Sequence, residues 1–182
     1  MKERTMQYID YYESPLGVIE LLSDGDHLTG LSFNNDSHLE DAPENHAGEA
    51  ARAVFETTKR WLDQYFQGEA PDFTPPLRIT GSDFRKMVCE IMSSIPYGQT
   101  MTYGEIAAIV ARRRGIARMS AQAVGGAVGH NPVSIIVPCH RVVGANGSLT
   151  GYGGGMDRKV ALLELEKVDM TKLFVPTKGT AL

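Results

Sequence analysis

The chain has 182 residues, 42% of them hydrophobic, and carries 18 Lys and Arg against 22 Asp and Glu for a formal net charge of −4. No apolar run approaches the roughly 20 residues that span a bilayer, and Met1-Lys2-Glu3-Arg4-Thr5 lacks the apolar stretch of a signal peptide, so the expectation is a soluble cytoplasmic protein of one larger or two small domains, with no membrane role. The mean charge hides a division: residues 1–79 carry 6 Lys and Arg against 15 Asp and Glu, residues 80–160 carry 9 against 4, and the rest 3 against 3, so a polyanion is attracted to the middle and repelled by the start. A basic segment is also what a merely solvated face looks like.

Tyr8–Leu22 alternates and is rich in Tyr, Val and Ile, with a break at Ser14-Pro15-Leu16-Gly17; Leu28–Phe33 follows Asp24-Gly25-Asp26. These runs predict antiparallel strands joined by turns. Asn34–Glu49 is acidic and poor in apolar residues, as in a surface loop. Val54, Thr58, Trp61, Leu62, Tyr65 and Phe66 then recur at helical spacing up to Gly68, a suitable terminator. The Pro-containing stretch Glu69–Pro76 is the candidate interdomain linker.

The second half opens with Ser82 as a helix N-cap before Phe84, Met87, Val88, Ile91 and Met92 on one face. Two cysteines are present, and Cys89 on this helix is expected to pack as an inert small hydrophobe. Both are expected to be free thiols in a reducing compartment. Thr102 and Glu105 have capping-box spacing ahead of a helix through Ile106, Ala107 and Val110. The basic loop Arg112-Arg113-Arg114-Gly115 follows. Ser120 then caps a short helix, Ala121–Val128, ending near Gly129, and helix, turn, second helix is the helix-turn-helix arrangement. Gly125 and Gly126 each cost a helix interior about 1 kcal/mol relative to Ala. Close approach to a partner offsets that, either another helix of the core or a groove of DNA.

The apolar run Ser134-Ile135-Ile136-Val137 predicts a strand stopped by Pro138, which delivers Cys139 to a turn beside His140 and Arg141. A neighbouring imidazole and guanidinium raise the thiolate fraction of a cysteine, which makes Cys139 a candidate nucleophile. Alone, a Cys-His pair is weak evidence, and two ligands do not make a zinc site.

In this setting Pro138-Cys139-His140-Arg141-Val142 resembles the active-site signature of the O6-alkylguanine-DNA alkyltransferases, also called methylated-DNA–protein-cysteine methyltransferases. The resemblance extends through Ile95-Pro96-Tyr97-Gly98, Tyr103-Gly104-Glu105-Ile106-Ala107, Ala123-Val124-Gly125-Gly126-Ala127, Asn131-Pro132, Gly151-Tyr152-Gly153-Gly154-Gly155 and Leu162-Leu163-Glu164-Leu165-Glu166. It covers residues 80–167, while residues 1–79 match only in general character. It implies a single-use repair protein that moves the alkyl group of O6-alkylguanine, and of O4-alkylthymine, in double-stranded DNA onto Cys139. His140 acts through a water as the base, Glu166 orients the imidazole, Asn131 braces the turn and Tyr103 protonates the leaving guanine. Gln122, Ala123, Gly125, Arg118, Arg141 and Ser120 are implied in DNA binding through the minor groove. Val142, Tyr152, Gly153 and Gly154 are implied as the pocket of the flipped base.

There are departures from the family pattern. Gln122 stands where the family carries an Arg that fills the gap left by the flipped nucleotide, and Gln lacks that charge and stacking plane. Val128 stands where a larger apolar residue occurs, and Gly153 where a Ser often does. Gly151–Gly155 lacks the Lys-Ser/Thr end of a P-loop, and the first domain has no His/Cys set with ligand spacing, so neither cofactor nor metal is expected. Three other classes compete: a non-catalytic alkylated-DNA binder, against which Cys139 argues; a transcription factor, which would place long polar side chains on the second helix; and a cysteine hydrolase, which would turn over repeatedly. The expected architecture is α+β: an N-terminal domain of a small antiparallel sheet plus helix over 1–79, a mostly helical C-terminal domain with a helix-turn-helix over 80–170, and a loosely held tail over 171–182, acting as a monomer.

Overall fold

The computed structural model describes residues 7–33 and 49–177. The chain divides into two compact units, Met1–Thr80 and Gly81–Leu182. Among the described residues, no helix is long and apolar enough to cross a membrane.

In the first unit β1 (Tyr8–Ser14), β2 (Gly17–Ser23) and β3 (Leu28–Phe33) form an antiparallel meander in that order. The β1–β2 turn is closed by Ser14, whose hydroxyl donates to the Gly17 carbonyl (2.6 Å) and accepts from the Leu16 N–H (3.2 Å). Alternation buries Ile19, Leu21, Leu31 and Phe33 on one face, against which α1 (Glu49–Phe66) sets Val54, Phe55, Leu62 and Tyr65. Burying each such side chain contributes roughly 1.5–3 kcal/mol, which makes this layer the unit's core. Gly68, at φ 82°, ends the chain's helical course after α1, with its N–H on the Tyr65 carbonyl (2.9 Å). The stretch Glu69–Pro76, read from sequence as a linker, belongs to this unit: Leu28 donates to the Pro76 carbonyl (2.7 Å) and accepts from the Arg78 N–H (3.0 Å). The acidic segment expected to be a loop lies, for residues 34–48, outside the described residues.

The second unit packs α2 (Asp83–Ser93), α3 (Tyr103–Arg114) and α4 (Ala121–Gly129) against one another through Val88, Ile91, Met92, Ile106, Val110, Val124 and Val128. Cys89 is buried in α2 and free. The expected caps are in place. Ser82 accepts from the Arg85 N–H, Ser120 accepts from the Ala123 N–H, and Thr102 and Glu105 make a reciprocal capping box. Gly115 closes α3 in the left-handed region (φ 63°). Before α3, β4 (Met101–Thr102) pairs in parallel with β5 (Val142–Val143), and α5 (Met156–Leu165) follows a loop.

Two expectations fail here. Ser134–Val137 is a buried turn, not a strand: Val137 donates to the Val133 carbonyl (3.0 Å), Ile136 to the Ser134 carbonyl (2.8 Å), and Ile135 takes φ 68°. The segment is apolar because Val133, Ile135 and Val137 are buried, and a short buried run has no period by which to distinguish turn from strand. The tail is held, at least to Phe174. Leu149 donates to the Phe174 carbonyl (2.8 Å), Phe174 donates to the Gly147 carbonyl (3.1 Å), and Leu173 packs on Val143, Leu149 and Leu163.

Gly147 sits under this clasp at φ 84°, and a Cβ there would lie 1.9 Å from the Lys172 carbonyl oxygen. Gly147→Ala must therefore displace backbone as well as adopt a disfavoured conformation. It is expected to lower stability by about 1–3 kcal/mol; a denaturant midpoint equal to the parent's would refute the clasp.

Candidate active site

Cys139, His140 and Arg141 form a single 3-10 turn immediately before β5, and all three are buried. The turn is held from both sides. Asn131 donates its side-chain amide to the Val137 carbonyl (2.8 Å) and accepts the Val133 N–H (3.1 Å), so one side chain spans the loop that leads to Cys139. The Asn131 and Ser134 side chains lie beside the Cys139 thiol and favour its charged form.

Beyond the turn lies Glu166, at the C-terminal end of α5 and 2% exposed. Its Oε1 meets His140 Nε2 at 2.6 Å and accepts an Arg141 Nη at 3.0 Å, while Oε2 accepts Arg141 Nε at 2.9 Å and the Gly98 N–H at 3.1 Å. The second guanidinium arm donates to the Ile95 carbonyl (2.6 Å), and the group lies 5.7 Å from the centre of the Tyr97 ring. Burial pushes the Glu166 carboxyl up, but the hydrogen bonds and charge of His140 and Arg141 outweigh it and hold the group down at about 2. Burial pulls His140 below its ordinary value against the pull of Glu166. The imidazole is then neutral at pH 7, and with its Nε2 proton directed at the carboxylate the basic lone pair is on Nδ1.

On the other side of the thiol, Tyr103 at the start of α3 donates its hydroxyl to the Thr150 carbonyl (3.2 Å). Lys159, fully buried in α5, donates to that same carbonyl (3.0 Å) and to Val142 O (2.6 Å). Burial lowers its ammonium to about 8, opposed by the charge of Cys139. The Tyr152 hydroxyl is buried, without a hydrogen-bond partner among the described residues, and close enough to Cys139 to feel its charge. Gly153 is exposed, and a Cβ there would meet nothing within 4 Å.

His140, Arg141 and Glu166 thus form one buried network next to Cys139, while Asn131, Tyr103 and Tyr152 lie within electrostatic range of its sulfur. Arg141 does not point to a DNA surface as expected: its guanidinium turns inward onto Glu166 and Ile95. It also does not lower the thiol. Burial pushes Cys139 up against the opposing influence of Asn131, Lys159 and Ser134, so the thiolate has to be generated by a base and is not standing at neutral pH. Ser120, Gln122, Ala123 and Arg118 lie on the exposed face of the helix-turn-helix, with Gly125 half-buried below. Lys159 was missed by sequence reasoning, although its position on the stripe of Leu162, Leu163 and Glu166 marks it as inward-facing.

The family model described as 6-O-methylguanine DNA methyltransferase, ribonuclease-like domain, matches residues 7–79, and that of the same family's DNA binding domain matches residues 83–168. A methylated-DNA–protein-cysteine methyltransferase of Haemophilus influenzae is 38% identical over 165 residues, covering 90% of this chain and 88% of the relative. Another, of Mycobacterium bovis, is 44% identical over 155 residues, covering 85% and 89%. Among solved structures, Mycobacterium tuberculosis OGT in complex with DNA aligns with a TM-score of 0.71 at 41% identity, covering 90% of this chain and 92% of that one.

Because the Glu166 carboxyl is held at about 2 in the fold against an ordinary 4.5, its network stabilises the protein fully above pH 4.5 and loses that contribution as the pH falls towards 2. Glu166→Gln removes the charge and strands Arg141. It is expected to cost about 3–5 kcal/mol at pH 7 and to flatten the acid limb of the stability curve. An unchanged acid limb in urea titrations would show that Glu166 does not carry it.

Proposed function

The chain belongs to the 6-O-methylguanine DNA methyltransferase family, and from that premise we propose that it repairs double-stranded DNA by moving the alkyl group of O6-alkylguanine, and of O4-alkylthymine, irreversibly onto its own Cys139. The observation that carries the reading is the buried His140–Glu166 contact beside a thiol that burial keeps protonated. A protonated thiol needs a base, and a neutral imidazole fixed by a carboxylate is one.

In this reading His140 takes the thiol proton through a water. The sulfur attacks the alkyl carbon, an S–C bond forms and the C–O6 bond breaks. Tyr103 gives a proton to the guanine ring, so the base leaves neutral and, net, one proton has passed from thiol to guanine. The thioether has no route back to a thiol, which makes the protein a single-use acceptor. Lys159 and Tyr103 share the Thr150 carbonyl, a tie that fixes the hydroxyl near the reacting sulfur. The target base has to leave the helix to reach a buried thiol, at a cost of a few kcal/mol that is least where pairing is already damaged. Tyr152, Gly153, Gly154 and the backbone at Val142 form its pocket.

Binding is through the minor groove, by a monomer, in the cytoplasm. Gly126 supports close approach of a groove to α4: a Cβ there would meet nothing within 4 Å in the chain, and at Gly125 only the Tyr103 ring at 3.9 Å. Internal packing therefore gives no reason for two glycines in α4, and close approach of an outside partner does.

Incubation with a duplex bearing one O6-methylguanine is expected to raise the intact mass by about 14 daltons once per chain, on Cys139, with no gain in Cys139→Ser. Tight lesion binding without a mass gain would mean a damage sensor. Gln122→Ala is expected to weaken binding of the lesion duplex and slow transfer, because no other α4 side chain of the exposed face reaches far enough to occupy a vacated base position; unchanged affinity and rate would remove Gln122 from base flipping.

A further inference from the structure

The α3–α4 connection is more basic than a helix-turn-helix needs. Arg112, Arg113 and Arg114 fill the last turn of α3, Arg118 follows in an exposed loop, and no carboxylate occurs in the sequence between Glu105 and Asp157. Two of these four are engaged. Arg113 pairs with Glu90 on α2 (3.2 Å), and the Arg114 guanidinium lies 5.4 Å from the centre of the Phe84 ring. Arg112 and Arg118 have no acidic or hydrogen-bonding partner among the described residues. Both line the same cleft, of about 830 Å³, which opens alongside the start of α4 and includes Ser120 and Gln122 in its wall. Ala107 and Ala108, both small, also line it.

We propose that this cleft is a phosphate-binding subsite, in which Arg112 and Arg118 clamp the DNA backbone beside the lesion and supply affinity that is independent of the lesion. The inference rests on the DNA-repair reading and adds to it the side chains that anchor undamaged duplex. Two uncompensated guanidinium groups lining one cleft match the sign of a phosphate backbone, and guanidinium binds phosphate oxygens in pairs. Contacts to phosphate carry no sequence information, so they hold the protein on any duplex while α4 tests the base pairs.

The test is the salt dependence of binding to a short, undamaged, fluorescently labelled duplex, followed by anisotropy. In R112Q/R118Q the slope of log affinity against log salt is expected to fall by about 1.8, near 0.9 for each phosphate no longer neutralised, with affinity in 0.1 M salt weaker by about tenfold or more. The single variants are expected to lower the slope by about half as much each, and R112K/R118K to keep most of it. Thermal melting verifies that these exposed substitutions leave the fold intact. A slope in R112Q/R118Q equal to the parent's overturns the subsite while leaving the repair reading standing. An equal fall in R113Q/R114Q overturns its assignment to this groove. A parent that binds no duplex overturns both readings together.

Discussion

The second unit depends on a buried carboxylate that is never left alone. Glu166 is almost fully removed from water, a position that costs several kcal/mol for an ion without partners. Four donors from three residues meet it: the imidazole of His140, two nitrogens of Arg141, and the backbone N–H of Gly98. The carboxylate therefore fixes the end of α5, the turn carrying the thiol, and the turn ahead of β4 to one another. Arg141 reaches on to the Ile95 carbonyl and lies across Tyr97, so the same charge network that orients the imidazole also closes the C-terminal side of α2. Removing Glu166 leaves the Arg141 guanidinium buried without its counter-charge, and the cost exceeds that of the missing bonds.

This constraint also sets the reactivity of the thiol. A guanidinium free beside Cys139 would favour the thiolate at rest; with Arg141 taken by Glu166, burial dominates and the thiol stays protonated. A single-use acceptor gains from that. A standing thiolate would be consumed by any soluble electrophile or oxidant, whereas one that appears only when a base and an electrophilic carbon are both in place is spent on its target. Lys159 counters the burial penalty in part, being a cation held by two carbonyls within range of the sulfur.

Much of this was legible in the residues. The helix starts followed from Ser82, Thr102 with Glu105, and Ser120, because a cap is a local match between a side chain and the orphan N–H groups of the next turn. The strands of the first unit followed from alternation, and the gathering of Cys139, His140 and Glu166 from motif order. What sequence did not disclose is the direction in which a charged side chain turns. Arg141 looks like a surface cation until its bidentate contact with Glu166, 25 residues away, is known. Lys159 reads as an exposed helix residue unless its place on the Leu162, Leu163, Glu166 stripe is given weight. The tail is polar, yet backbone pairing at Phe174 and the packing of a half-buried Leu173 hold it, and neither depends on a distinctive side chain.

The misread strand is the most informative of these. Ile135 occupies the left-handed region, which a β-branched residue disfavours by about 1–3 kcal/mol, and its side chain is fully buried. A conformation of that kind persists only where its surroundings insist on it, and Asn131 does so by bonding both Val133 and Val137 across the loop. The strain has a geometric return. An extended Ser134–Val137 would carry the following residues away from the start of the turn, whereas the folded segment keeps the sulfur beside Asn131 and Ser134 and sets His140 against Glu166. A flexible, unstrained loop would lower the local energy and lose the single thiol position that a reaction performed once, at one carbon, requires.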